Sequence, residues 1–284
     1  EVATRLGEVA GGSRVSPQDK VAVYGMVAAG VDEAAIAGGV GQLNINGGVT
    51  VTGDVVNNDT IKTTDADVIW NGDFVNNNAY ISDPSFQDFQ NDLTVNDPGY
   101  IQATHNKDLF SIRGDFINTT TNNTDWNTVK ARLRFIKGGV GNDKIHDFYI
   151  VGADGGTTNP NAFGWHVVYI TNQKEIHLYD GDGGGGGALY VDIIRGVESP
   201  GYTGGETLEN IFNASTTPIN IYYDSTFGLN GYLNNHDYVI PADPMVLGAV
   251  NGMLIAHTPL PPSVLLLGSG LLGLGLLGWR RKRS

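Results

Sequence analysis

Two aspartates on a glycine-rich loop have the residue type and spacing of a cation site. Asp180 and Asp182 flank Gly181, and further glycines follow at 183–187. Carboxylate oxygens on such a loop suit Ca²⁺, but an EF-hand loop would also need a third oxygen ligand and a bidentate Glu, and here the glycines run into an apolar segment. We therefore favour a solvated turn and predict no cofactor, with calcium at Asp180 and Asp182 as the weaker alternative.

A second set of aspartates recurs along the chain, each directly after a glycine. These are Asp54, Asp73 and Asp115. If their strands stack, the carboxylates form an acidic row on one face, as the metal-binding carboxylates of β-helical polysaccharide lyases do. Like charges in a row repel one another, whereas each carboxylate can accept a hydrogen bond from a turn amide. The sequence favours this structural role.

The sequence contains no recognisable set of residues for nucleophilic or zinc-dependent catalysis. It has no Cys, no Gly-x-Ser-x-Gly segment and no His-Glu-x-x-His among six scattered histidines. The net charge of −13 opposes binding to nucleic acid. We predict no catalytic residue and a protein that is not an enzyme. An aromatic cluster could stack on sugar rings or fill a core, and it consists of Tyr222, Tyr223, Phe227, Tyr232 and Tyr238.

The acidic motif belongs to a repeat of about twenty residues. Its copies are 51–58, 70–77 and 112–118, with a weaker copy at 91–96, so that the aligned aspartates are 54, 73, 92 and 115. Short apolar runs at this period predict an all-β fold, a parallel β-solenoid with about twenty residues per coil. A β-sandwich of antiparallel strands is the alternative.

Stacked coils would bring equivalent side chains of the repeat together. The predicted core stack contains Val55, Phe74 and Phe116. The predicted amide ladder at a turn, with each side chain bonding to the next coil, contains Asn57, Asn76 and Asn118.

The chain divides into four predicted parts. Residues 1–40 cap the solenoid, with a short helix near 17–29 that begins after Ser16. Residues 41–240 form the solenoid body, and 241–263 form a proline-rich linker. Residues 264–284 form a transmembrane helix with a basic end.

The C-terminal tail carries the signal for the compartment. From Val264 to Trp279 no residue is charged, and four basic residues follow at 280–283. As a helix at about 1.5 Å per residue this run is about 24 Å long, close to a hydrocarbon core of about 30 Å once flanking residues contribute. The basic end marks the cytoplasmic side and places the body outside the membrane. A buried core helix is the alternative, but the run has no amphipathic pattern.

The tail has three consecutive parts. The proline motif is Pro259, Leu260, Pro261, Pro262 and Ser263. The apolar span includes Val264, Leu267, Leu271, Leu274, Leu277 and Trp279, and the basic stop is Arg280, Arg281, Lys282 and Arg283. Together they resemble the PEP-CTERM sorting signal in its PLP variant, in which Leu260 and Pro261 stand where the name-giving signal has Glu and Pro. The strand-rich segments ahead of the tail look like the β-helical bodies attached to such signals.

The resemblance implies recognition by an exosortase, cleavage near the proline motif, and delivery to the cell surface or extracellular matrix. We expect an exported bacterial protein with a structural or adhesive role, first at the outer face of the cytoplasmic membrane. Its expected partners are membrane lipid, exosortase and, through the coil ends, further copies of itself. One alternative is a membrane-anchored subunit of a larger complex with an uncleaved tail. The other is a β-helix enzyme acting on polysaccharides, which predicts carboxylates converging with an Arg or Lys in an open groove.

Overall fold

The described part of the chain consists almost entirely of β-strands. The computed structural model describes residues 21–24, 34–36, 42–136, 145–156, 163–171 and 174–258. Within these residues there are 23 strands and one short 3₁₀ helix, Gly228–Leu233. The predicted all-β class is confirmed.

The strands form three sheets of five, eight and ten strands. The five-stranded sheet contains, in spatial order, β1 (Val21–Tyr24), β3 (Gln42–Asn46), β6 (Thr60–Thr64), β9 (Ala79–Ser82) and β12 (Tyr100–Ala103). The eight-stranded sheet contains β2 (Ala34–Ile36), β5 (Val55–Asn57), β8 (Phe74–Asn76), β11 (Leu93–Val95), β14 (Phe116–Asn118), β16 (Ile145–Ile150), β18 (Glu175–Asp180) and β20 (Ile211–Asn213).

The ten-stranded sheet is the longest of the three. It contains, in spatial order, β22 (Tyr238–Ile240), β23 (Gly252–His257), β21 (Asn220–Asp224), β19 (Ala188–Arg195), β17 (Trp165–Ile170), β15 (Arg132–Phe135), β13 (Leu109–Ile112), β10 (Ser85–Phe89), β7 (Ala66–Trp70) and β4 (Val49–Val51).

Nearly all strand pairs in these sheets are parallel, and each strand pairs with its equivalent one repeat later. Val55 lies opposite Phe74, Phe74 opposite Leu93, and Leu93 opposite Phe116. Among the described strands, only β22 and β23 pair in antiparallel fashion. This topology is consistent with a β-solenoid and differs from the antiparallel pairing of the alternative β-sandwich.

The predicted coil length of about twenty residues holds only for the first part of the stack. Successive partners from Val55 to Phe116 are 19, 19 and 23 residues apart. Phe116 then pairs with Phe148, which is 32 residues further on, and Phe148 pairs with Leu178, 30 residues further on. The coils lengthen after β12, which is the last described strand of the five-stranded sheet.

The core lies between the sheets and is built from columns of equivalent side chains. The predicted stack is confirmed, since Val55, Phe74 and Phe116 are in register and buried. It continues to Phe148, whose ring stacks on that of Phe116 with centroids 5.5 Å apart. Aromatic contacts of this kind contribute about 0.5–1.5 kcal/mol beyond the area that they bury.

The predicted boundaries of the body differ from the structure at both ends. Val21–Tyr24 is a strand paired with β3 rather than part of the helix predicted near 17–29, because this Val-Ala-Val-Tyr segment has high strand propensity and finds a parallel partner. Gly252–His257 is also a strand, although the linker was predicted to begin at 241. Its apolar residues extend the ten-stranded sheet beyond β21.

The C-terminal end of the stack is covered by the segment that precedes β23. Leu233, Tyr238 and Ile240 of this segment are fully buried. A cap therefore exists at the C-terminal end. The cap predicted at 1–40 lies mostly outside the described residues.

In the part of the chain described above, no helix has the length and apolarity needed to cross a membrane. The predicted sorting motif, apolar span and basic stop, at 259–284, lie outside the described residues.

Candidate functional site

A row of five aspartates runs along the corner where the ten-stranded sheet passes into the eight-stranded sheet. Asp54, Asp73, Asp92 and Asp115 each precede the first residue of a strand in the eight-stranded sheet, and Asp147 lies within β16. We call these five residues the acidic row. The sequence offered a row of Asp54, Asp73 and Asp115 as the alternative to a structural turn role. It aligned Asp92 with them as a weaker copy of the repeat but did not place it in the row, and it did not predict Asp147.

The glycines of the Gly-Asp motif are required by close contact between coils. A Cβ atom on Gly72 would lie 2.3 Å from the backbone carbon of Gly53. A Cβ atom on Gly114 would lie 2.7 Å from the backbone carbon of Asn91. Since neither backbone atom can move without separating the coils, only glycine fits, and the following aspartate is held at the corner.

The first four carboxylates of the acidic row each accept a hydrogen bond from the backbone of the next coil. Asp54 Oδ1 accepts from the amide of Asp73 at 2.9 Å, and Asp73 Oδ1 from that of Asp92 at 3.5 Å. Asp92 and Asp115 likewise accept from the amides of Asp115 and Asp147, both at 2.8 Å. Asp54, Asp73 and Asp115 therefore form the predicted row, and the same carboxylates accept backbone amides, so the two alternatives hold together.

The electrostatic environment of the row changes towards Asp147. Burial raises the pKa of the Asp147 carboxyl, and the negative charges of Asp243 and Asp92 also raise it, while His177 lowers it. The carboxylate of Asp147 therefore binds a proton more readily in the fold than its ordinary pKa of 3.8 implies.

The row ends at a buried histidine–carboxylate pair. His177 is the register partner of Asp147 on the neighbouring strand, and its Nδ1 lies 2.7 Å from Asp243 Oδ2. The side chain of Asp243 is only 2% exposed. Glu175 Oε2 lies 3.9 Å from Nε2 of the same imidazole. Acidic groups thus face His177 on both sides.

Two stacked tyrosines lie beside this pair. The rings of Tyr149 and Tyr179 are 4.9 Å apart and nearly parallel, with an interplanar angle of 16°. Burial, reinforced by the charges of Asp147 and others, raises the pKa of Tyr179 to about 12. Both hydroxyls therefore stay protonated near neutral pH and act only as neutral hydrogen-bonding groups.

An open groove of about 320 Å³ lies against the middle of the acidic row. It is lined by Asp73, Gln90, Asn91, Asp92, Arg113, Gly114, Asp115 and Ile145. Arg113 is fixed by a bidentate ion pair, with Nε 3.0 Å from Asp88 Oδ1 and Nη2 3.0 Å from Asp88 Oδ2. Three carboxylates and one guanidinium therefore line an open groove, which is the arrangement that the polysaccharide-active alternative predicts.

The glycine-rich loop uses its carboxylates to hold its own backbone. Asp180 accepts from the amides of Gly183, Gly185 and Gly186 at 3.0–3.3 Å. Asp182 accepts from the amides of Gly152 and Gly184 at 3.0 and 2.9 Å. These bonds favour the turn role. Within the described ranges, no group of three or more His, Asp or Glu side chains is arranged to hold a metal ion, and calcium binding stays an untested prediction.

The predicted asparagine ladder forms in part. Asn57 Nδ2 donates to Asn76 Oδ1 at 2.6 Å, and both side chains are fully buried. The ladder does not continue to Asn118, because the apolar residue Val95 occupies the rung between them. A second, partly exposed ladder was not predicted. In it Asn77 Nδ2 donates to Asn58 Oδ1 at 2.6 Å and Asn96 Nδ2 donates to Asn77 Oδ1 at 2.9 Å.

The aromatic cluster near the C-terminal end serves mainly as core. Tyr222, Tyr223 and Tyr238 are buried, and the hydroxyls of the last two donate to backbone carbonyls. Tyr232 donates to the carbonyl of Ile194 at 3.1 Å. Of the two open alternatives, the structure favours core packing over stacking on sugar rings.

Comparison with protein-family models, with curated proteins and with solved structures gives no significant match.

Proposed function

We propose that this protein is an exported, non-enzymatic structural or adhesive protein of the cell surface or extracellular matrix, whose body is a parallel β-solenoid. The observation that carries the proposal is the use of its polar repeats. The carboxylates of the acidic row and the amides of the two asparagine ladders bond successive coils to one another. Side chains used in this way stiffen the stack, and the bond to the next coil already occupies one oxygen of each of these carboxylates.

The arrangement suits a rigid spacer. Ten strands in the longest sheet at about 4.8 Å each give a stack roughly 45 Å long. A hydrogen bond between coils contributes about 0.5–1.5 kcal/mol, and one to a carboxylate about 1.5–3 kcal/mol. Because every coil is bonded to the next, bending the stack would break several such bonds together.

The location outside the cell rests on the tail. An apolar span followed by four basic residues is typical of a membrane segment whose basic end stays in the cytoplasm. With the proline motif at Pro259–Ser263, it supports sorting by an exosortase, with membrane lipid as the first contact. Such a tail gives a mechanical body a means of delivery to the surface.

Fractionation and intact-mass measurement of the protein from its native cell test the proposal. We expect a surface or matrix fraction whose mass corresponds to cleavage near Pro259–Ser263. A surface protein that keeps its tail would instead be the anchored subunit of a larger complex. Recovery of the protein from the cytoplasm alone would overturn the proposed function.

The groove beside the acidic row favours a second candidate, a polysaccharide-active enzyme. Its carboxylates and Arg113 could contact sugar hydroxyls. However, Asp73 and Asp92 already accept backbone amides and Arg113 is paired with Asp88, so we rank this candidate second. The test is to incubate the purified chain with acidic polysaccharides and measure chain shortening. Cleavage that is lost in Asp92→Asn would establish the enzyme and exclude the purely structural role.

A further inference from the structure

Basic side chains collect on one outer face of this acidic protein. Arg132 and Arg134 lie two residues apart on β15, and Arg195 ends β19. In the ten-stranded sheet, Arg134 lies opposite Tyr169, and Tyr169 lies opposite Arg195. We call Arg132, Arg134, Tyr169 and Arg195 the arginine strip.

The three arginines of the strip have no acidic partner in the part of the chain that the structure describes. Two carboxylates of the same sheet are already paired with other groups, Asp88 with Arg113 and Asp192 with His166 at 2.8 Å. The other Lys and Arg residues of the described part are Lys62, Lys107, Arg113, Lys130 and Lys174. In a chain of net charge −13, cations that pair with no internal carboxylate remain available to an external anion.

The strip is held in place by neutral contacts. Arg134 donates from Nε and Nη2 to Ser111 Oγ at 3.1 and 2.8 Å. The Arg195 guanidinium lies 5.8 Å from the centroid of the Tyr169 ring, within the range of a cation–π contact. Arg132 Nη2 donates to the carbonyl of Lys107 at 3.4 Å. Because these contacts leave the positive charge uncompensated, they orient the guanidinium groups without neutralising them.

The spacing of the strip suits an extended polymer. Arg134 and Arg195 are two strands apart, which corresponds to about 10 Å, with the ring of Tyr169 between them. An aromatic ring between two fixed cations can contact the apolar face of a sugar while the guanidinium groups bind carboxylates on either side.

We infer that the arginine strip binds a strand of acidic polysaccharide, with Arg132, Arg134 and Arg195 contacting its carboxylates and Tyr169 contacting a sugar ring. The choice of a polysaccharide among polyanions rests on the proposed location in the matrix. The site itself rests only on the geometry of the sheet. It would make the protein a crosslink between the cell surface and an anionic polymer.

Binding of the full-length chain in mild detergent to immobilised polygalacturonate tests the inference, with neutral dextran as the reference polymer. We expect binding to polygalacturonate that weakens as NaCl rises, and little binding to dextran. Arg134→Gln combined with Arg195→Gln should raise the apparent Kd by about tenfold to a hundredfold, since two charged contacts are lost and each is worth up to about one decade. Lys62→Gln removes a charge from the five-stranded sheet and should leave Kd within about twofold.

Several outcomes would overturn the inference. Equal binding by the double variant and the wild type would place the site elsewhere. Tighter binding to a DNA duplex than to polygalacturonate would show that acidic polysaccharide is not the preferred ligand of the strip. If sedimentation showed that the double variant loses self-association but keeps its binding to polygalacturonate, the partner of the strip would be a second copy of the chain.

A control variant, Arg134→Lys combined with Arg195→Lys, retains the positive charges. It should keep most of the binding to polygalacturonate, which would show that the glutamine variant does not lose binding through misfolding.

The inference and the proposed function can fail separately. If the protein is found at the surface but does not bind polygalacturonate, the inference about the arginine strip is wrong and the proposed function still holds. A cytoplasmic protein whose binding depends on Arg134 and Arg195 would keep the site and remove the proposed role.

Discussion

The buried asparagine ladder predicts a large difference in stability between two adjacent substitutions. Asn76 is fully buried, and its side chain makes three hydrogen bonds: it accepts from Asn57 Nδ2 at 2.6 Å and donates to the carbonyls of Asn78 and Tyr100 at 2.8 and 3.0 Å. Asn76→Ala removes all three. At about 1 kcal/mol for each bond, we expect the free energy of unfolding to fall by about 3 kcal/mol.

The neighbouring Asn77 provides a matched control. It also bonds to equivalent asparagines in the coils on either side, at 2.6 and 2.9 Å, but it is only half-buried. Water can replace its partners, so Asn77→Ala should cost less than about 1 kcal/mol. The two substitutions remove the same atoms from adjacent positions; they differ in burial and by one hydrogen bond, three for Asn76 and two for Asn77.

Equilibrium urea unfolding, followed by fluorescence of the buried Trp70, Trp126 and Trp165, measures both costs. The midpoint should fall clearly for Asn76→Ala and little for Asn77→Ala, with the slope m unchanged. Equal costs for the two variants would refute the argument that buried rungs, rather than the ladder in general, hold the coils together.

Three further changes test the packing and the charges of the stack. Gly72→Ala should prevent folding or lower the free energy of unfolding by more than about 3 kcal/mol, because its methyl group meets the backbone of Gly53 at 2.3 Å; soluble yield and circular dichroism report this. Phe116→Leu should cost about 1–1.5 kcal/mol in urea unfolding, because it removes the stacking on Phe148. The pKa of Asp147 is raised in the folded state, so the folded protein binds this proton more tightly than the unfolded chain does. The ionised carboxylate therefore lowers the free energy of unfolding at pH values above the folded pKa, and this loss of stability disappears below pH 3.8. Asp147→Asn should therefore stabilise the protein more at pH 7 than at pH 4, and urea midpoints that shift equally at both pH values would count against this assignment.

The repeat made the N-terminal coils predictable from sequence. A constant step of 19 residues fixed both the register of Val55 on Phe74 and the alignment of the acidic row. The break in the asparagine ladder was visible as well, since the weaker copy of the motif has Val95 where the others have Asn. An apolar side chain at that position can neither donate nor accept the hydrogen bond that would continue the ladder.

The pairing of His177 with Asp243 could not be predicted in the same way. The two residues are 66 positions apart in sequence, and no repeat links them. Their contact depends on the chain returning along the last coil, where the amide of Asp243 donates to the carbonyl of Asn213 at 2.8 Å. Such a contact is created by the cap and the long late coils, whose lengths follow no period.

The two ends of the stack bear on how copies of the chain would associate. At the C-terminal end, β22 is an edge strand of three residues that runs antiparallel to its neighbour. Its own Tyr238 and the preceding Leu233 are fully buried. A short, reversed edge offers few free backbone groups to a strand of another copy. We therefore expect association through the C-terminal coil end to be weak. Lateral surfaces such as the arginine strip remain for contacts with other molecules. The stack can be lengthened by an extra 19-residue coil inserted between Asn57 and Phe74, away from the strip. We expect this insertion to leave polymer binding at the strip unchanged.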